Sequence, residues 1–254
     1  MAELYLGNPL LKAAGVNVEW TKESLQEYQK CWEDPQYFIE NYIKIVHVDR
    51  GLVPFDMYGY QKKMIQTFMD DRFVICKMPR QTGKSTTIIS FLLHYILFNQ
   101  DVNCAILANK LSTARELLSR LQLAYENLPK WMQQGVVIWN KGNIELENGS
   151  KILAAATSSS AVRGSSFNII FLDEFAHVPN NIADQFFTSV YPTISSGETT
   201  KVFIVSTPLG LNMFYKMWID AEERRSNYTP IDVHWSEVPG RDDKWKQETI
   251  KNTS

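Results

Sequence analysis

Cysteine is scarce in this 254-residue chain: there are three, Cys31, Cys76 and Cys104, and no CxxC spacing. An odd number without metal-type spacing argues against a disulfide framework and points to reduced, structural thiols of a cytosolic protein. Long apolar runs are missing as well. The most apolar stretch, residues 88–98, is about half of the ~20 residues a membrane-crossing helix needs and carries His94, and no signal peptide is visible. Charge of one sign is not in excess, the net value being −2. The molecule as a whole therefore has no strong pull on nucleic acid or anionic membrane, and any such binding must come from a local patch. Internal repeats and low-complexity tracts are absent too. What is present is 44% hydrophobic sequence, ample for one large domain or a domain with a small appendage.

Residues 73–86 organise the rest. Phe73-Val74-Ile75-Cys76 has strand propensity, a polar loop follows, and Gly83-Lys84-Ser85 opens a hydrophobic helix through Ile88, Ile89, Phe91, Leu92 and Leu93. Backbone N–H groups at a helix N-terminus offer donors to phosphate oxygens, a Lys adds a point charge and a hydroxyl reaches a magnesium ion, which is how a chain holds a nucleoside triphosphate. Gly-Lys-Ser/Thr alone turns up by chance in about one chain in ten of this length, so the strand and helix around it carry the reading. The usual pattern also asks for Gly five residues before Gly83, where this chain has Met78.

Ahead of the loop, residues 1–18 are weakly patterned and read as an arm or a partly ordered lead-in. Thr21 starts a helix with Leu25, Tyr28 and Trp32 on one face; Asp34-Pro35 closes it and caps a second, with Phe38, Ile39, Tyr42 and Ile43 on one face. Together they make a small helical subdomain. Residues 49–56 read as turn and short extended pieces, and residues 58–71 as an amphipathic helix that runs into the loop strand. Beyond the loop, residues 104–108 form a strand and residues 112–127 a helix with Leu117, Leu118 and Leu121 facing in. Such alternation implies right-handed crossovers and a parallel sheet covered by helices on both faces. Residues 136–155 change to short strands with turns at Lys141-Gly142-Asn143 and Glu147-Asn148-Gly149, an antiparallel excursion. A Ser-rich loop at 157–166 holds Arg163; a buried strand at 168–172 ends at Asp173-Glu174; a helix covers about 180–190, and a strand at 202–205 ends at Ser206-Thr207-Pro208.

Apolar strands thus end in polar events on the carboxyl side of one parallel sheet, where ligands bind. Lys84 suits β/γ-phosphate charge, Ser85 can ligate magnesium, and Asp173 can hold that ion from outside its direct ligands. Glu174 is placed to orient or deprotonate an attacking water, the base that a hydrolase needs. An acidic pair at a loop start is ordinarily solvated turn, but a phosphate loop about 90 residues earlier reverses those odds. Ser206-Thr207 fits two roles equally, capping the helix that follows Pro208 or sensing the γ-phosphate. The Gln61 amide donates and accepts at once, which suits an adenine edge, and the Tyr60 ring can stack; read alone, both are helix-surface residues. Arg80 and Arg163 each suit charge that develops in phosphoryl transfer, and each equally suits a surface position.

Four segments in sequence, PFDMYGYQKKMI, CKMPRQTGKST without its leading Gly, AVRGSSFNIIFLDEFAHVPN and VSTPLGLNMFY, strongly resemble the large subunit of tailed-bacteriophage terminases of the contractile-tailed type, over about residues 35–250. The missing Gly, with Arg80 in the loop, is a habit of that family. The resemblance implies an α/β P-loop NTPase of the ASCE, RecA-like kind: a parallel sheet flanked by helices, with a small helical N-terminal lid. It implies an Mg2+-dependent, ATP-hydrolysing motor that packages double-stranded viral DNA into an empty capsid, without a membrane partner. Such motors act at the portal protein with a small terminase subunit, as a ring of about five copies, in the cytoplasm of the infected bacterial host. Carried over by residue, Tyr60 and Gln61 resemble the adenine-reading pair, and Pro79, Arg80, Gln81, Thr82, Gly83, Lys84, Ser85 and Thr86 the deviant phosphate loop. Asp173 resembles the magnesium-linked acid, Glu174 the catalytic base, and Ser206-Thr207-Pro208 the motif that couples hydrolysis to movement. Arg163 is the candidate for an arginine that family members take from their own loop or from a neighbour.

Large terminases also carry a nuclease after the motor. Here no acidic cluster remains after Pro239-Gly240, only a polar stretch with Trp245 and Ile250. The expected division is an arm and lid over 1–57, an ATPase core over 58–240, and a linker towards a missing nuclease domain over 241–254. Two other readings share features: a superfamily-2-type helicase, which needs a second motor domain, and a nucleotide-binding portal-docking module without significant activity alone.

Overall fold

Continuous apolar runs decide the architecture, because a strand buried on both faces belongs inside a helix-covered sheet. The computed structural model describes residues 3–47, 49–158, 166–195 and 197–253. Among the described residues, its main sheet has eight strands in the order β10-β3-β9-β8-β4-β7-β6-β5. The central strands are β3 (Phe73–Lys77), β9 (Lys201–Ser206), β8 (Ile169–Asp173) and β4 (Asn103–Ala108), all parallel. On one edge lies β10 (Thr229–Asp232), parallel to β3; on the other are β7 (Lys151–Ala156), β6 (Asn143–Leu146) and β5 (Val136–Trp139). β7 runs parallel to β4 and antiparallel to β6, so the expected antiparallel excursion is the far end of the main sheet rather than a separate piece.

The period-2 alternation of side chains divides the core in two. Val74, Cys76, Ile106, Phe171 and Val205 face α2 (Pro35–Tyr42), α3 (Gly59–Asp70), α4 (Lys84–Phe98) and α5 (Leu111–Glu126). Ile75, Leu107, Ile170, Leu172 and Ile204 pack with residues of α6 (Asn180–Ser195) and α7 (Met213–Glu222). Helix α6 runs past the expected end near residue 190. Among the described residues, no helix is long and apolar enough to cross a membrane.

The N-terminal helices share the first of these cores. Thr21 caps α1 (Lys22–Glu33) by accepting from Ser24 N–H at 3.1 Å, and Asp34 caps α2, with Pro35 in its first turn. Their inward residues are Cys31, Phe38 and Ile39. Leu25 and Trp32, expected to share a face with Tyr28, are more than half exposed, since the stripe of α1 that meets the body runs through Tyr28 and Cys31. Of the N-terminal arm, residues 3–18 are tied down: Leu11 is buried, Lys12 pairs with Glu147 at 3.1 Å, and Ala13 bridges in parallel to Val136. The arm thereby covers the open β5 edge, a surface that would otherwise present unpaired backbone groups. A hairpin of β1 (Lys44–His47) and β2 (Gly51–Pro54) leads into α3.

Candidate nucleotide site

Register brings three chain segments to one level of the sheet edge. Lys77 pairs with Ser206 across β3 and β9, and Asp173 with Val205 across β8 and β9. The loop after β3, the acidic pair after β8 and the hydroxyl pair after β9 therefore emerge side by side.

The loop turns without its leading glycine because Met78 is core: it is 1% exposed, and its N–H donates to Ser206 O at 3.1 Å. Gly83 is the residue the turn cannot replace. It sits at φ +72° as the N-cap of α4, and a Cβ there would meet Gln61 Nε2 at 2.5 Å. Tyr60 and Gln61 are buried, not on the helix surface. Tyr60 OH and Gln61 Nε2 both donate to Thr82 O, at 2.8 and 3.2 Å, while Gln61 Oε1 accepts from Tyr58 N–H at 2.8 Å. In this state the pair braces the phosphate loop from behind, and the half-exposed ring beside it is Tyr58. Tyr58, Gln61, Gly83 and Thr86 line a cleft of about 550 Å³ whose far wall includes His47 and Arg50 around the hairpin.

Lys84 and Ser85 each meet one of the two acids. Ser85 Oγ donates to Asp173 Oδ1 at 2.9 Å, and Lys84 Nζ lies 2.8 Å from Glu174 Oε1. Burial pushes the Asp173 pKa up to about 6, against the opposing pull of the Ser85 hydroxyl. Burial also disfavours charge on Glu174, but the Lys84 ammonium and the Thr207 donors outweigh it and hold its pKa below the usual carboxylate value. Oε2 of Glu174 accepts from Thr207 N–H at 3.1 Å and Thr207 Oγ1 at 2.8 Å, with Ser206 Oγ at 3.3 Å. Its backbone sits in the left-handed region, φ 47° and ψ 44°, which side-chain-bearing residues rarely adopt. Ser206 and Thr207 thus fix Glu174; the helix after Pro208 is capped by Asn212, whose Oδ1 accepts from Tyr215 N–H, and the capping alternative falls.

The Ser85 hydroxyl, backed by Asp173 through their hydrogen bond, fits magnesium, which takes few protein ligands beside water and phosphate oxygens. Among the described residues, no group of three His, Cys, Asp or Glu side chains forms an all-protein metal cage, and the fit is to that sparse kind of site. Arg80 is exposed at the loop's rim, its carbonyl accepting from Arg241 at 2.8 Å. Arg163 lies outside the described residues. Two neighbours escaped the sequence reading. His177, three residues after Glu174 in the turn Phe175–His177, has Nε2 at 3.4 Å from Thr207 Oγ1 and 3.7 Å from Glu174 Oε2, and that spacing was the available signal. Arg241 belongs to no motif.

A phosphate loop between β3 and α4, with β9 inserted between the loop strand and the acid-bearing strand β8, defines the class: a P-loop NTPase fold of the ASCE kind. The family described as terminase large subunit, T4likevirus-type, N-terminal, matches residues 75–254, and the chain belongs to that family. Among solved structures it is similar to the large terminase of bacteriophage HK97, at 18% identity and a TM-score of 0.71 over 88% of this chain and 52% of that one. It is also similar to the large terminase ATPase domain of Thermus phage P74-26, at 17% identity and a TM-score of 0.59 over 78% and 88% of the two chains. A large terminase of a thermophilic bacteriophage solved in complex with ADP matches at 14% identity and a TM-score of 0.60, over 78% and 50%. The chain thus spans about half the length of the HK97 protein, 52%.

Proposed function

We propose that this chain is an Mg2+-dependent, ATP-hydrolysing motor domain that drives double-stranded viral DNA into a procapsid. The observation that carries the reading is the Glu174 carboxylate, shared between Lys84 on one oxygen and Thr207 on the other. A triphosphate seated on the loop amides competes for the Lys84 ammonium. As Lys84 moves to the phosphate oxygens, its hold on the ionised form of Glu174 is lost, and burial raises the carboxylate's proton affinity. Thr207 and Ser206 keep Oε2 in place, so the released Oε1 can face the attacking water. The water's proton passes to Glu174 as its oxygen bonds the γ-phosphorus; the bond from that phosphorus to the β,γ-bridging oxygen breaks, and ADP departs with the electron pair. Ser85, with Asp173 behind it, would hold a magnesium ion, which when bound would supply charge neutralisation on the β/γ-phosphates. Residues 58–240 form the motor core in this reading, and residues 1–57 its arm and lid. The partners of this reading are the portal protein, a small terminase subunit and a ring of about five copies in the host cytoplasm, and family membership supports it. Replacing Glu174 by Gln tests the chemistry: the variant is expected to bind ATP as the parent does and to hydrolyse it about 10²- to 10⁴-fold more slowly. Unchanged turnover removes Glu174 from the role of base.

A further inference from the structure

Successive carbonyls along the phosphate loop are held from outside. Arg80 O and Gln81 O accept from Nη2 of Arg241 at 2.8 and 3.2 Å, and Thr82 O accepts from Tyr60 and Gln61. A trans peptide sets its N–H opposite its C=O, so these anchors aim the N–H groups of Gln81, Thr82 and Gly83 the other way. Those are the donors a phosphate takes. Gln81 also needs an anchor on its own account, because its φ of 57° lies in the left-handed region that a side chain disfavours.

Tyr60 and Gln61 belong to a helix of the core, and Arg241 does not. It stands between β10 and α8 (Asp243–Thr253), a helix in which none of residues 243–252 is buried. The same guanidinium lies 4.9 Å from the ring centroid of Trp245 in α8, and Trp245 stacks on Trp235 at 5.9 Å. One side chain therefore touches the loop's backbone and the exposed helix at once.

We propose that Arg241 is a positioning residue of the nucleotide site, which fixes the peptides of Arg80 and Gln81 for phosphate binding and so couples nucleotide binding to the docking of α8. The proposal rests on the loop being a nucleotide site. Coupling of this kind is reciprocal: whatever factor α8 docking adds to nucleotide affinity, nucleotide adds to α8 docking.

The experiment measures binding of a non-hydrolysable ATP analogue with Mg2+ by calorimetry, and hydrogen exchange of the α8 amides with and without the analogue. In the parent, the analogue is expected to slow exchange in α8. In Arg241→Ala, affinity is expected to fall by about 10- to 100-fold, the loss of a charged donor on two carbonyls, and the analogue no longer slows α8. Arg241→Lys, which keeps the charge and can reach one carbonyl, recovers part of the affinity. A residue that only packs would lower the melting temperature and leave affinity unchanged. If Arg241→Ala does not fold, Trp245→Ala frees α8 from the other side and is expected to abolish the α8 response. Equal affinities in parent and Arg241→Ala, or α8 exchange in the parent that ignores the analogue, overturn the proposal. A parent that binds no analogue overturns the nucleotide site as well, whereas binding lost in Lys84→Ala and kept in Arg241→Ala overturns only the role of Arg241.

Discussion

Two titratable groups on this frame, one half-buried and one buried, meet opposite fates. Glu174, at the carboxyl edge of the sheet, keeps its charge because Lys84 and Thr207 hold its carboxylate, and its pKa is lowered in spite of partial burial. His94, inside α4, sits against the rings of Phe38 and Phe98 and has the Cys31 carbonyl at 2.8 Å from its Nε2. Burial wins there, and the imidazole is held neutral with a pKa of about 4. A half-buried charge survives where partners are supplied, and here they are supplied at the polar edge of the sheet and not in its packed interior.

Lys84→Ala should have the largest effect, because it turns Glu174 into a second His94, with burial facing fewer opponents. Charged bonds to β- and γ-phosphate oxygens are together worth about 3–6 kcal/mol, so affinity for an ATP analogue should fall about 10²- to 10⁴-fold by calorimetry. The Glu174 pKa, followed by NMR, should rise in the same variant; a carboxylate that stays low would show that Thr207 alone sustains the charge.

His94 sets the next scale. Its folded pKa of about 4 lies below the ~6.5 of an unfolded histidine, so the stability tied to its neutral form is full above pH ~6.5. Between those values the unfolded chain binds a proton that the folded chain refuses, and about 3 kcal/mol is lost as pH falls to 4. In His94→Gln, whose amide can still donate to Cys31 O, denaturant titrations should lack that share of the pH slope. Parallel curves for parent and variant would mean that His94 takes up its proton within the fold.

The smallest effect is expected at Asn212, which caps α7 beside the site without touching a charge. Asn212→Ala should cost about 1 kcal/mol of stability, read as a shift of a few degrees in Tm, and leave nucleotide affinity as it was. A large loss of affinity would mean that its amide bonds to Ala176 O and Leu209 O shape the proposed nucleotide site.

The sheet and its polar edge were legible because three of the four central strands, β3, β8 and β9, are short apolar runs that lead into the phosphate loop, Asp173-Glu174 and Ser206-Thr207. The turn at Gly83 was legible for the same reason. What the sequence concealed lay in partners distant along the chain. Nothing local tells that Gln61 faces Thr82 and not solvent, that Thr207 turns to Glu174 and leaves the helix cap to Asn212, or that Lys12 finds Glu147 across 135 residues of chain separation (147 − 12). Arg241 was hidden most thoroughly, since an arginine between Gly240 and Asp242 looks like any solvated turn, and its carbonyl partners lie about 160 positions earlier.

The central claim is the exchange of Lys84 between Glu174 and the triphosphate. A structure of the chain with Mg2+ and a non-hydrolysable ATP analogue measures it directly. The account predicts Lys84 Nζ within hydrogen-bonding distance of phosphate oxygens, the 2.8 Å contact to Glu174 Oε1 broken, and Oε2 still held by Thr207. A bound nucleotide with Lys84 still on Glu174, or with the Glu174 carboxylate turned from the γ-phosphate, would contradict it.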